Sequence, residues 1–161
     1  MLKRSIKTIA GVAFVATLLL AAVSCGSDDK DGEVVNPNLT VGTASRPSWS
    51  VPADLYATFE YTMSVQLIPQ AELQPYISDD DLMCAVVDGE VRAVSSLQRT
   101  GGEAYFPLVI AGTSGSGAVT ISYYCARLAR IYTVQNWQPF TPGLAPTQDG
   151  KPYVVTFFSV E

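Results

Sequence analysis

An alternation of apolar and polar side chains between residues 57 and 67 constrains the fold of this chain more than any other feature. The apolar positions are Ala57, Phe59, Tyr61, Met63, Val65 and Leu67, and a polar residue fills every position between them. Because successive side chains of a β-strand point to opposite faces, this period of two predicts a strand with one buried face and one exposed face. Such a strand must belong to a sheet that packs on a second layer.

The same β character continues through the rest of the chain. We expect further strands at 82–87, 90–94, 104–111, 118–126, 131–134 and 153–158, and one turn of helix within 70–76. Asp88-Gly89 is typical of a tight hairpin, and Pro107 predicts an edge position or a bulge. About seven short strands at hairpin spacing predict one domain over residues 46–161, an antiparallel β-sandwich of the immunoglobulin-like kind.

Residues 1–24 predict a secretory signal peptide, because three basic residues precede an apolar run from Ile9 to Val23 that is short for a membrane-spanning helix. The run ends in Ala22-Val23-Ser24-Cys25, which resembles the lipobox of bacterial lipoproteins, with Ala22 where Leu is usual. This resemblance implies cleavage before Cys25 and acylation of Cys25, which would anchor the protein to a membrane. The alternative is an ordinary cleavage site that a cysteine follows by chance.

Residues 25–45 predict a flexible, lipidated tether. Positions 26–33 contain four acids, one base and no large apolar side chain, so they cannot build a core. The Ser27-Asp28-Asp29 sequence resembles the surface-export signal of Bacteroidota lipoproteins, which implies a location on the outer face of the outer membrane. A merely solvated tether is the alternative.

Composition excludes several classes of function. The chain has no histidine, which removes imidazole triads and most zinc and transition-metal sites, and we expect no cofactor. Loss of the signal peptide removes three bases and no acids, so the formal charge goes from −5 to −8. Because phosphate repels a chain this acidic, nucleic acid is not an expected partner.

A set of short motifs runs through the predicted domain. They are Trp49, Tyr61-Thr62-Met63, the stretch 78–94, Tyr105-Phe106, Ala111-Gly112, the stretch 121–124 and Asp149-Gly150-Lys151-Pro152-Tyr153. Their order resembles a module of secreted Bacteroidota surface proteins. The resemblance implies a β-sandwich of unassigned biochemical role, and it implies no catalytic residues.

Two groups of residues are candidates for ligand contacts. Trp137 lies between Asn136 and Gln138, and such an aromatic ring flanked by amides can stack on a sugar and bind its hydroxyls; an ordinary buried tryptophan is the alternative. Glu90 and Arg92, which match an element of the resembling module, are two positions apart and share a strand face. Their side chains can bind a polar ligand, but such charges on an exposed strand more often pair with each other or with water.

Acidic residues raise two further possibilities. Asp79, Asp80 and Asp81 with Asp88 offer oxygen ligands for calcium, but they lack the alternation of a calcium loop, so we expect a solvated loop. Paired carboxylates also leave glycoside hydrolysis open, although the sequence places no two of them across a cleft. We expect no metal site and no catalysis.

Cys84 and Cys125 remain once Cys25 is assigned to the lipid. Both lie in apolar strand runs, so we expect both to be buried. An oxidising compartment permits a disulfide between them if their α-carbons lie within about 7 Å, while free cysteine is also a common small core residue. The sequence leaves these two alternatives open.

We therefore expect a surface-exposed, lipid-anchored module that binds a glycan or a surface protein without catalysis. A structural spacer or accessory subunit of a surface protein complex is the alternative, and a small glycan-active enzyme is the third possibility.

Overall fold

The computed structural model describes Leu39 and residues 41–159; the predicted signal peptide, Cys25 and most of the predicted tether lie outside these residues. The described part contains one short α-helix, one 3₁₀ helix and eight strands. They are α1 (Leu55–Thr58), β1 (Tyr61–Pro69), the 3₁₀ helix (Ala71–Tyr76), β2 (Leu82–Val87), β3 (Glu90–Ser96), β4 (Gln98–Thr100), β5 (Glu103–Gly112), β6 (Ala118–Cys125), β7 (Arg130–Pro139) and β8 (Tyr153–Val155). None of the helices in this part is long and apolar enough to span a membrane.

Two four-stranded sheets form the predicted β-sandwich, which is confirmed. The β1 sheet has the strand order β4-β5-β1-β8, and the β2 sheet has the order β3-β2-β6-β7. All pairs are antiparallel except β1 with β8, which is parallel. If β1 is taken as strand B of an immunoglobulin domain, β2 to β7 follow as C, C′, D, E, F and G, and β8 lies beside β1 in the place of strand A.

The alternation in β1 produces the core. Met63, Val65 and Leu67 are at most 2% exposed, while the polar residues between them are only part-buried. Facing them across the sandwich, Ile121 and Tyr123 of the β2 sheet are fully buried. The strand begins at Tyr61, however, so the expectation that it starts at residue 57 is wrong.

Residues 55–58 form α1 instead of the start of the strand. The Thr58 hydroxyl and backbone N–H both donate to the Asp54 carbonyl at 3.0 Å, which closes a helical turn. The Tyr56 hydroxyl donates to the Val109 carbonyl at 3.2 Å and fixes the turn beside β5. Local hydrogen bonds therefore override the alternation at its first two apolar positions.

The predicted β2–β3 hairpin is confirmed. Asp88 and Gly89 both adopt left-handed backbone angles (φ 52° and 82°), as this tight turn requires. The pairing shifts by one residue between Ala85 and Val86, because Ala85 faces Ala93 while Val86 faces Val91. Arg92 is the extra residue of this β-bulge.

Pro107 lies in β5 opposite Gln66 of β1. On the other side of β5, β4 pairs only with residues 103–105, so Pro107 has no strand neighbour there. The expected edge position is confirmed, since proline has no N–H to donate to a second neighbour.

Both remaining cysteines are buried free thiols, so the burial prediction is confirmed and no bridge joins them. Cys125 belongs to the core between the sheets, whereas Cys84 alternates with the core residues Met83 and Ala85 and therefore faces the other side of the β2 sheet. Side chains on opposite faces of one sheet cannot form a disulfide. Burial raises the pKa of Cys84 from 9.0 to about 11 and also raises the pKa of Cys125.

Asp81 is fully buried, which corrects the prediction of a solvated loop at this position. Its carboxylate accepts hydrogen bonds from the backbone N–H and hydroxyl of Ser78, the hydroxyl of Tyr123 and the backbone N–H of Ala126, at 3.0, 2.8, 2.6 and 2.8 Å. Burial, followed by the charge of Asp81, raises the pKa of Tyr123 far above its usual range. The carboxylate thus ties the start of β2 to the end of β6.

Both ends of the described chain pack on the sandwich. The predicted strand 153–158 is shorter than expected, because after Val155 the backbone N–H groups of Phe157 and Phe158 donate to the Gln70 side-chain oxygen at 2.6 and 3.2 Å. At the other end, the backbone N–H of Gly42 and that of Ala44 donate to carbonyls of the β6–β7 turn. Contacts of the domain therefore begin before residue 46.

Candidate functional site

A bulge near the end of β7 positions Trp137. Gln138 pairs with Val119 of β6, but Val134 pairs with Ile121, so residues 135–137 together lie opposite Thr120 alone. Asn136 adopts a left-handed backbone conformation (φ 50°), which accommodates the extra residues of this bulge. β7 therefore runs to Pro139, beyond the expected end at Val134, and its alternation changes at the bulge.

A tight hairpin faces this end of β7. Gln148 and Lys151 exchange two backbone hydrogen bonds of 2.9 Å around Asp149-Gly150, whose φ angles are 52° and 79°. The hairpin leads directly into β8. The Tyr153 hydroxyl donates to the Ala145 carbonyl at 3.0 Å, which holds the tyrosine ring in place.

Between these two elements lies a depression of about 620 Å³, here called the Trp137 groove. It is lined by Trp137, Gln138, Gln148, Asp149, Lys151, Pro152, Tyr153 and Val154. The rings of Trp137 and Tyr153 meet edge to face, with centroids 6.0 Å apart and an interplanar angle of 85°. Trp137 is part-buried against the core, so the ring is anchored as well as accessible.

A second depression of about 450 Å³, the Ile68 groove, adjoins the first. It is lined by Ile68, Gln74, Ile77, Arg99, Gly102, Glu103, Ala104, Lys151, Pro152 and Val154. Lys151, Pro152 and Val154 thus border both grooves. Val154 is 57% exposed and supplies apolar surface at the junction.

Charges in the two grooves are few and nearly balanced. Arg99 is bound to exposed Asp79 at 3.4 Å. Lys151 differs from the other cations among the described residues, because its ammonium group forms no ion pair or hydrogen bond there. Each groove has one carboxylate in its lining, Asp149 in the first and Glu103 in the second.

The predicted aromatic site is brought together only in part. Trp137 and Gln138 line the Trp137 groove, as expected, but Asn136 is exposed at the bulge and does not line it. The physical reason is the left-handed backbone of Asn136, which breaks the regular spacing of side chains on β7. Asn136 is therefore removed from the candidate site.

Glu90 and Arg92 form the expected ion pair, with 3.0 Å between the Arg92 Nη2 and Glu90 Oε2 atoms. The expected exposed strand face is wrong for Arg92, which is 4% exposed, and its guanidinium carbon lies 3.6 Å from the centre of the Phe59 ring. Its Nε and Nη1 atoms are buried without a partner. Neither Glu90 nor Arg92 lines either groove.

The remaining acids of the proposed calcium cluster have protein partners. Asp80 lies 3.8 Å from Arg46, Asp79 pairs with Arg99, and Asp88 accepts the Gly117 N–H at 3.1 Å. Within the described residues, no group of three acidic, cysteine or histidine side chains is arranged to hold a metal ion.

The sequence did not predict the other six residues that line the Trp137 groove: Gln148, Asp149, Lys151, Pro152, Tyr153 and Val154. The Asp149-Gly150 pair carries the same turn signal as Asp88-Gly89, so the hairpin itself was predictable. Its position beside Trp137 was not, because that contact depends on how β8 pairs with β1.

Comparison with known proteins gives no matching family model, curated protein or solved structure.

Proposed function

We propose that this protein is a lipid-anchored, surface-exposed module that binds glycans in the Trp137 groove without catalysis. The observation that carries the proposal is the groove itself: two aromatic rings in fixed orientation beside amide, ammonium and carboxylate groups. Its volume falls within the usual range of ligand sites, about 300–1,000 Å³.

The lining matches the two kinds of surface that a sugar presents. The C–H faces of a pyranose pack on aromatic rings such as those of Trp137 and Tyr153. The hydroxyls both donate and accept hydrogen bonds, and Gln138, Gln148 and Lys151 offer groups for this. Because the rings are held by the core and by the Ala145 carbonyl, little side-chain ordering opposes binding.

The carboxylates support binding rather than hydrolysis. Glycosidases use two acidic residues that flank the scissile bond, whereas each groove has a single acid in its lining. Asp149 is therefore assigned as a hydrogen-bond acceptor for sugar hydroxyls.

Delivery to the surface rests on the N-terminal sequence. The signal peptide, the lipobox-like Ala22–Cys25 and the acidic residues after Cys25 support a lipoprotein of the outer membrane that faces the exterior. The resemblance to a Bacteroidota surface module supports the same location.

A structural spacer or accessory subunit that contacts a surface protein is the second candidate. It is favoured by β7, a ten-residue strand at the edge of its sheet, on which Ile131 is 44% exposed. Edge strands of this kind can pair with a strand of a partner.

A glycan array probed with the full-length protein in detergent micelles tests the first candidate. Lys151→Ala and Trp137→Ala should each abolish the signal, while Trp49→Ala, at the other tryptophan and outside both grooves, should retain it. Matched thermal unfolding curves separate loss of binding from loss of fold. Absence of glycan binding by the wild type, or unchanged binding by both groove variants, would exclude the proposed site.

A further inference from the structure

The two grooves meet along one short segment of chain. Lys151, Pro152 and Val154 border both, so a ligand that leaves the Trp137 groove over this segment enters the Ile68 groove directly. Each groove alone has the volume of a small-ligand site, about 620 and 450 Å³. A surface with two adjoining compartments of this kind fits a chain-like ligand better than a single sugar.

The charges indicate which kind of chain fits. Arg99 is already neutralised by Asp79, which leaves the free ammonium of Lys151 against the carboxylates of Asp149 and Glu103. A polyanionic chain would be repelled by one carboxylate in each groove and by the net negative charge of the whole protein. A neutral chain avoids this repulsion, and its hydroxyls can donate to both carboxylates and accept from Lys151.

We propose that the Trp137 and Ile68 grooves form one continuous site for a neutral glycan chain of several sugar units. This inference rests on the proposed function. One unit stacks at Trp137 and Tyr153, the chain crosses the junction at Lys151 and Val154, and later units lie against the apolar floor formed by Ile68 and Ile77. Affinity should therefore rise with chain length until both grooves are filled.

Isothermal titration calorimetry on the full-length protein in micelles tests this, with malto-oligosaccharides and cello-oligosaccharides of two to six units as probes. We expect the hexasaccharide of one series to bind about tenfold more tightly than its disaccharide, the effect of one or two additional hydrogen bonds. The double variant R99A/E103A removes the two charged side chains that line only the Ile68 groove, keeps Lys151, which borders both grooves, and leaves the net charge unchanged. It should lose this length-dependent gain and retain the disaccharide affinity.

The double variant R46A/E60A is the matched control, because it removes one acid and one ion-paired base outside both grooves. It should bind both lengths as the wild type does. Equal affinities for short and long oligosaccharides, or a gain that survives in R99A/E103A, would overturn the continuous site and leave the proposed function intact. Binding to acidic glycans only on the array would overturn the assignment of a neutral chain and leave the proposed function intact. Binding to no glycan at all would overturn both the continuous site and the proposed function.

Discussion

Replacement of Asp81 by asparagine tests the buried carboxylate that ties β2 to β6. One carboxylate oxygen, Oδ1, accepts from the Ser78 hydroxyl and the Ala126 N–H, and the other, Oδ2, accepts from the Ser78 N–H and the Tyr123 hydroxyl. Asparagine must place its amide NH₂ at one of these two positions. In either orientation the NH₂ faces one hydroxyl, which can rotate to accept, and one backbone N–H, which cannot.

The expected cost follows from that backbone N–H. A buried donor without a partner costs about 1–3 kcal/mol, and the remaining hydrogen bonds weaken because they lose the charge that made them about twice as strong as neutral ones. We expect Asp81→Asn to lower the free energy of unfolding by about 2–4 kcal/mol. Domains of this kind are typically stable by only about 5–15 kcal/mol, so the change is large.

Urea unfolding of the chain from residue 26 onward, followed by tryptophan fluorescence, measures this difference. Asp79→Asn is the matched control, because the Asp79 side chain is 90% exposed and its pairing with Arg99 should contribute less than about 1 kcal/mol. Both variants should retain the m-value of the wild type. The reasoning about Asp81 is refuted if the two variants unfold at the same midpoint.

Three further changes have defined outcomes. Arg92→Met keeps the packing on Phe59 and removes a buried cation that has two nitrogens without a partner. The urea midpoint of this variant should therefore equal or exceed that of the wild type. Arg92→Ala leaves a cavity instead and should lower the midpoint. The raised pKa of Cys84 makes a contribution to stability that is fully present below the unfolded-state pKa of about 9 and is lost as pH rises through about 11. Alkaline denaturation followed by circular dichroism should therefore be less steep in Cys84→Ala, and an unchanged slope would contradict the buried thiol. Cys25→Ser should release the protein from the membrane fraction or leave an uncleaved precursor on immunoblots, and normal processing with retained membrane binding would disprove lipidation there.

The parts of the fold that sequence predicts well are those whose cause is local. The β2–β3 hairpin is correct to the residue at its turn because Asp88-Gly89 has the backbone preference that the turn needs. The short strand β4 was missed, since all three of its residues are exposed and no periodicity marks them. β4 is a strand because residues 103–105 of β5 pair with it. This pairing belongs to the β4–β5 hairpin as a whole and leaves no pattern in the sequence of β4.

The candidate site was predicted only in part, because most of its residues are brought together by contacts that are not local. Trp137 and Gln138 could be chosen from their own chemistry, but Lys151 and Tyr153 join them only because β8 pairs with β1 and closes that side of the sandwich. Likewise, the burial of Arg92 depends on a bulge and on Phe59, 33 positions earlier in the sequence. Contacts between distant segments set the environment of a side chain, and periodicity carries no information about them.

Within the domain, the described chain enters the sandwich at one end of β7, and the Trp137 groove lies near the other end. The segment that leads back to Cys25 is bonded to the β6–β7 turn through Gly42 and Ala44, at the start of β7. Trp137 lies near the other end of the same strand. Because residues 135–137 together lie opposite Thr120, the separation equals that of the five residues from Cys125 to Thr120 on β6, about 17 Å at a rise of about 3.3 Å each. Trp137 and Lys151 are therefore separated from the point where the chain enters by most of the length of β7, so the N-terminal segment at Gly42 and Ala44 leaves the groove uncovered.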